Sequence, residues 1–155
     1  MYPPAGGFTG DGNAEIISQL RVWWRKHDKG RTFDSNTGFR LPDSSILSPD
    51  AAYISPDKLK GLTREDFSGF PSICPDFVIE LLSKSDRLQE TKGKMTLWLR
   101  NGAALGWLID PYQQNVFVYQ PGREPVIVTG NAAEGVGPVE GFTLDLRKVW
   151  RCYEF

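Results

Sequence analysis

Apolar residues return at helical spacing early in the chain and at strand spacing through much of the remainder. Ile16, Ile17, Leu20, Trp23 and Trp24 recur every three or four positions, which predicts an amphipathic helix with Asn13 as N-cap and Gly30 as its stop. The opening MYPPAGGFTGDG is dense in Gly and Pro, which are costly to order, so residues 1–12 are expected as a flexible segment and residues 13–155 as one domain. TFDSNTGFRL reads as two short strands around an Asn/Gly turn, and DAAYI after Pro49 as a third. Residues 55–75 are mixed and polar, a surface connection with a short helix near Arg64. PDFVIELLS is apolar almost without interruption, as expected of a central strand covered on both faces. Residues 87–100 carry Leu88, Thr91, Met95, Trp98 and Leu99 on one stripe and stop at Asn101-Gly102, a second helix. LGWLID, NVFVYQ and PVIVT come next as strands, and GFTLDL and KVW as a last strand and turn of helix. This order predicts an α/β fold with one mixed central sheet flanked by helices.

Composition narrows the chemistry. A chain of 155 residues, 40% hydrophobic, with five Trp, nine Phe and five Tyr, has enough apolar material for one packed core and is not disordered. Eighteen basic and nineteen acidic residues leave a net charge of −1, so no protein-wide positive field draws the chain to polyanions. Cys74 and Cys152 lack CxxC spacing and His27 is the sole histidine, too few ligands for a structural zinc site; both thiols are expected reduced in the core. His27 stands among Lys26, Asp28 and Lys29 and reads as a surface residue. With no secretory leader pattern and no apolar run of about 20 residues, a cytoplasmic protein without membrane contact is expected. GxxxxGK[ST], GxGxxG, GxSxG and HExxH are all absent.

Glu80 is the most informative residue, because a carboxylate inside FVIELL is desolvated and needs compensation. A buried salt bridge, an exposed sheet edge or a metal ion would each supply it. Asp50 opens DAAYI where a loop enters the sheet, a position that is either ordinary turn chemistry or a reach into a cleft. One divalent ion shared between adjacent strands would explain both carboxylates, and all-oxygen ligands point to Mg²⁺ or Mn²⁺. Asp76 and Glu80 share a strand face, but four residues at roughly 3.3 Å each separate them by about 13 Å, too far for one ion. Asp76 therefore reads as a strand cap. Lys92 and Lys94 lie about 200° apart around the second helix, so only one can face a common site, and periodicity does not choose. Glu15 lies at the edge of the first apolar stripe, where the helix dipole already accounts for an acid.

The strings TFDSNTGFRLPDSSILSPDAAYIS, CPDFVIELLSKSDRL and KMTLWLRNGAALGWLIDP resemble, in order and spacing, the Uma family, a bacterial branch of the PD-(D/E)XK nucleases. The resemblance spans roughly residue 13 to the C-terminus and implies a restriction-endonuclease-like fold. It implies that Pro49-Asp50 is the PD of the motif and Glu80 its D/E. Leu82 stands where the superfamily has lysine, and the family's lysine is matched instead by Lys94, directly before Met95. Glu15 resembles an auxiliary acidic residue on the first helix. Family members usually carry an extra strand-bearing segment ahead of the region matched by MYPPAGG, so a bare sheet edge is expected. The resemblance further implies Mg²⁺- or Mn²⁺-dependent phosphodiester hydrolysis, in DNA, with Asp50, Glu80, Lys94 and Glu15 as site residues, and a homodimer is expected because near-neutral charge, many aromatics and the missing segment leave apolar surface to cover. The alternatives are a nuclease scaffold that binds DNA or a protein without cutting, and a hydrolase of small phosphorylated molecules.

Overall fold

The apolar run around Glu80 forms the middle of the molecule. A computed structural model describes residues 4–155, so the first three residues of the expected flexible segment lie outside the described part. In chain order come α1 (Gly7–His27), β1 (Arg31–Phe33), β2 (Phe39–Arg40), β3 (Ile46–Leu47), β4 (Ala51–Ile54), α2 (Pro56–Leu59), α3 (Arg64–Phe67), β5 (Phe77–Leu81), α4 (Leu88–Arg100) and β6 (Leu105–Asp110). Beyond these lie β7 (Asn115–Tyr119), β8 (Val126–Thr129), β9 (Ala132–Glu134), a 3-10 turn (Gly137–Val139), β10 (Thr143–Asp145) and α5 (Leu146–Arg151). Six strands make one sheet in the order β1-β4-β5-β6-β7-β8. Only β5 and β6 pair in parallel, joined by α4 as crossover, and every other neighbour is antiparallel, so the sheet is mixed as expected.

Side chains alternate across the central strands and divide the apolar residues into two cores. Ala51, Tyr53, Phe77, Ile79 and Leu81 pack with Ile16 and Leu20 of α1 and Leu146 and Val149 of α5. Ala52, Ile54, Val78 and Leu82 face Met95 and Trp98 of α4 on the other side. Even-numbered positions of β4 and β5 thus point toward α4.

Three expectations about local structure need correction. Helix α1 starts at Gly7, with Gly6 rather than Asn13 as its N-cap, so residues 7–12 are not a loose tail. Tertiary packing overrides the glycine content: at Gly12 a Cβ would stand 2.9 Å from Leu81 Cδ2, so this glycine lets the helix approach the sheet. The helix ends at Asp28, whose φ of 53° provides the left-handed cap expected of Gly30. The strands of TFDSNTGFRL do not pair with each other; β1 pairs with β4 and β2 with β3. Ser48 Oγ lies 2.8 Å from the carbonyl of Ser35 and 2.7 Å from that of Thr37, so its one hydroxyl hydrogen is shared between them and ties the loop after β1 to the end of β3. Cys74 is buried as expected, whereas Cys152 is only half-buried. Asp76 does support the sheet, its carboxylate accepting from Ser55 N at 2.6 Å.

Candidate active site

Strand register brings the two acidic residues together. Ala51 stands opposite Ile79 and Ala52 opposite Val78, and Asp50 N donates to Ile79 O at 3.0 Å, one residue out of step with that register, so Asp50 enters the sheet beside β5. Asp50 and Glu80 line the same cleft, and the Asp50 charge lies close enough to act on the Glu80 carboxyl. Each carboxylate is fixed. Asp50 Oδ2 accepts from Leu81 N at 2.6 Å and Oδ1 from Asn13 Nδ2 at 3.4 Å. Glu80 Oε2 accepts from Trp98 Nε1 at 2.9 Å and Oε1 from Lys94 Nζ at 3.1 Å. Lys94 Nζ also donates to Ser48 O at 3.0 Å. Lys94 and Trp98 are one turn apart on α4, so both reach the same strand position.

Two like charges facing each other in a buried setting resist ionisation. Burial pushes the Glu80 carboxyl up to about 7; the Lys94 ammonium pulls it down, and the Asp50 charge adds to the rise. Asp50 is also raised by burial, against the Leu81 N–H and Lys94. A cation between them would relieve both. The donors fit a hard divalent ion, and Asn13 Oδ1 beside Asp50 is buried with no hydrogen-bond partner among the described residues. No group of three or more His, Cys, Asp or Glu that could hold a metal ion converges among the described residues. The carboxylates open into a cleft of about 750 Å³, lined also by Gly6, Thr9, Asn13, Asp86 and Thr91.

A family model described as "Putative restriction endonuclease" matches residues 1–147. The chain belongs to the Uma2 family. Among solved structures, a protein from Anabaena variabilis ATCC 29413, described as a putative nuclease belonging to DUF820, superposes with a TM-score of 0.80. It is 22% identical, over 98% of this chain and 85% of its own length, a likeness of fold. A second match, the DrdV–DNA complex, has a TM-score of 0.43 at 16% identity, over 72% of this chain and 9% of its own, and carries no argument. No curated protein matches.

Within this Uma2 chain, helix geometry separates the two lysines. Lys94 enters the cleft, while Lys92 Nζ lies 4.7 Å from the centre of the Phe117 ring. Glu15 is not brought to the other candidates. Its Oε2 accepts from Gln19 Nε2 at 2.9 Å, and Gln19 in turn ties to the backbone of Asp145. Asn13, two residues earlier and about 200° around the helix, takes the place expected of Glu15. Gly6, Thr9 and Asn13 share a face at helical spacing, a signal hidden when the helix is started at residue 13. The Ser48 carbonyl and the Trp98 indole are further site groups that sequence reasoning misses. Trp98 sits on the inner stripe and reads from periodicity as core alone.

Proposed function

We propose that this Uma2 protein is a metal-dependent endonuclease that hydrolyses phosphodiester bonds in DNA, with Asp50 and Glu80 holding Mg²⁺ or Mn²⁺. The observation that carries the reading is the convergence of Asp50, Glu80 and Lys94 on one open cleft. A divalent ion there supplies Lewis-acid polarisation of a phosphate oxygen and acidifies an attacking water. The protein's own groups do the rest. Leu81 N and Trp98 Nε1 hold one oxygen of each carboxylate, and Asn13 Nδ2 and Lys94 Nζ, which also line the cleft, hold the others. Lys94, steadied by the Ser48 carbonyl, turns its ammonium toward the scissile phosphate and stabilises the charge that builds there. The working unit is a homodimer, for which the exposed Val126 and Ile127 of edge strand β8 offer apolar surface.

One observation favours a second reading, a scaffold that binds without cutting: Lys94 already satisfies Glu80 as a buried ion pair would. Incubating the protein with plasmid, linear and single-stranded DNA across Mg²⁺, Mn²⁺ and EDTA decides between them. The nuclease reading expects metal-dependent cleavage that is lost in Asp50→Asn and Glu80→Gln. The scaffold reading expects none, and no metal binding by titration calorimetry.

A further inference from the structure

Beside the cleft lies a second cavity that the carboxylate chemistry does not use. It has a volume of about 500 Å³, inside the range of roughly 300–1,000 Å³ typical of ligand sites. Its walls include Phe8, Tyr112 and Tyr153, with Lys84 at its margin. Gly6, Thr9, Ser83 and Ser85 line both cavities, so the two form one continuous surface. A polymer seated at the carboxylates would run directly onto the aromatic rings.

The rings are arranged for stacking and are held in place. Phe8 and Tyr153 stack with centroids 5.8 Å apart and planes 19° from parallel. Tyr112 meets Tyr153 edge-on at 5.8 Å and 79°. Phe8, which also meets Phe155 at 6.4 Å and 90°, and Tyr112 remain 47% and 46% exposed at the cavity. Tyr112 projects from the turn between β6 and β7, and that turn is rigid because the buried Asp110 accepts from Tyr112 N at 2.9 Å and Gln113 N at 3.1 Å. Aromatic faces fixed beside a cationic side chain bind unpaired bases, since every base has a π-face and the phosphates follow the charge. A paired base offers no such face, being stacked within its own duplex.

We infer that this aromatic pocket stacks an unpaired nucleotide next to the scissile phosphate, so that the preferred substrate is DNA with a single-stranded segment at the cut site. The inference rests on the nuclease reading for the position of the phosphate. The test uses the full chain, with Ca²⁺ in place of Mg²⁺, and two duplexes: one ending in a single-stranded overhang that carries 2-aminopurine, the other fully paired. The overhang should bind about ten-fold more tightly, with quenched 2-aminopurine fluorescence on stacking. Tyr112→Ala should weaken overhang binding roughly five- to ten-fold, erasing the preference as the low end of base–aromatic stacking would, and leave paired DNA unchanged. Tyr112→Trp, which restores a ring, should keep the preference. Equal binding of the two duplexes, no binding of either, or an equal loss on both in Tyr112→Ala overturns the inference. Metal-dependent cutting of paired DNA would still uphold the nuclease reading in those cases. Conversely, ring-dependent binding of the overhang without cleavage under any metal would support the inference and refute the nuclease reading.

Discussion

Glu80→Gln tests the electrostatics of the site in one substitution. Glu80 is nearly inaccessible, and its carboxyl is raised from the usual 4.5 to about 7, mainly by burial and despite Lys94. A folded-state value above the unfolded one means that the folded protein holds this proton more tightly. The group's favourable contribution is therefore complete below about pH 4.5, declines as pH rises, and is gone above about pH 7. The whole ionisation cost comes to about 3 kcal/mol at pH 8. Gln keeps the shape and the bond from Trp98 Nε1 while removing that cost. Its amide would face the Lys94 ammonium, a donor mismatch worth about 1–2 kcal/mol. In EDTA at pH 8 the variant should thus be more stable by about 1–2 kcal/mol, a melting temperature higher by roughly 2–8 °C for a domain of this size. At pH 5, where wild-type Glu80 is already neutral, the gain should vanish. Thermal unfolding by circular dichroism at both pH values reads the result. If the variant melts far lower at pH 8, by the roughly 3–5 kcal/mol that a stranded buried cation costs, Glu80 is a structural ion-pair partner and the reasoning fails.

The same geometry sets other expectations. Lys94→Met should abolish cleavage of plasmid, whereas Lys92→Met should keep it and lose about 0.5–1 kcal/mol of stability from the Phe117 contact; the opposite pattern would move the site to the other flank of α4. Trp98→Phe removes a bond that lowers the Glu80 pKa, so the acid limb of the cleavage pH profile should shift to higher pH, and an unmoved limb would deny Trp98 a part in tuning the site. Glu15→Gln should leave cleavage rates within about two-fold of wild type, since its partner is Gln19 and it lies off the cleft. Gly30→Ala should lower stability by at least about 1–3 kcal/mol, because φ is +79° and a Cβ would meet Ile54 O at 2.5 Å. Light scattering at high micromolar concentration should report a dimer, and a monomer would remove that expectation.

The centre of the fold is readable because the physics there is local. An unbroken apolar strand needs cover on both faces, and a lone Glu within it needs compensation, so β5 and Glu80 stand out without knowledge of any neighbour. Asp50 can be paired with Glu80 from sequence only by assuming adjacent strands, which the register between β4 and β5 supplies. The hidden parts depend on distant contacts. The glycine- and proline-rich opening looks like a tail until Tyr153 and Leu81 are placed against Gly12. The true partner of β1 is some twenty positions on, in β4, and no turn signal marks so long a connection. A main-chain carbonyl such as that of Ser48 has no side-chain identity for a sequence to display.

The pleat ties the fate of the site to that of the core. Inserting or deleting one residue within β4 would turn Ala52 or Ile54, and within β5 Val78 or Leu82, out of one apolar layer unless Asp50 or Glu80 of the same strand turned away from the cleft instead. Slippage thus offers evolution only a narrow route to a folded but silent copy. Substitution offers a wider one, since positions 50, 80 and 94 can change while the layers stay filled. Degenerate relatives of this protein would therefore keep its outline to the last strand, and their loss of chemistry would be written in those three side chains rather than in their shape.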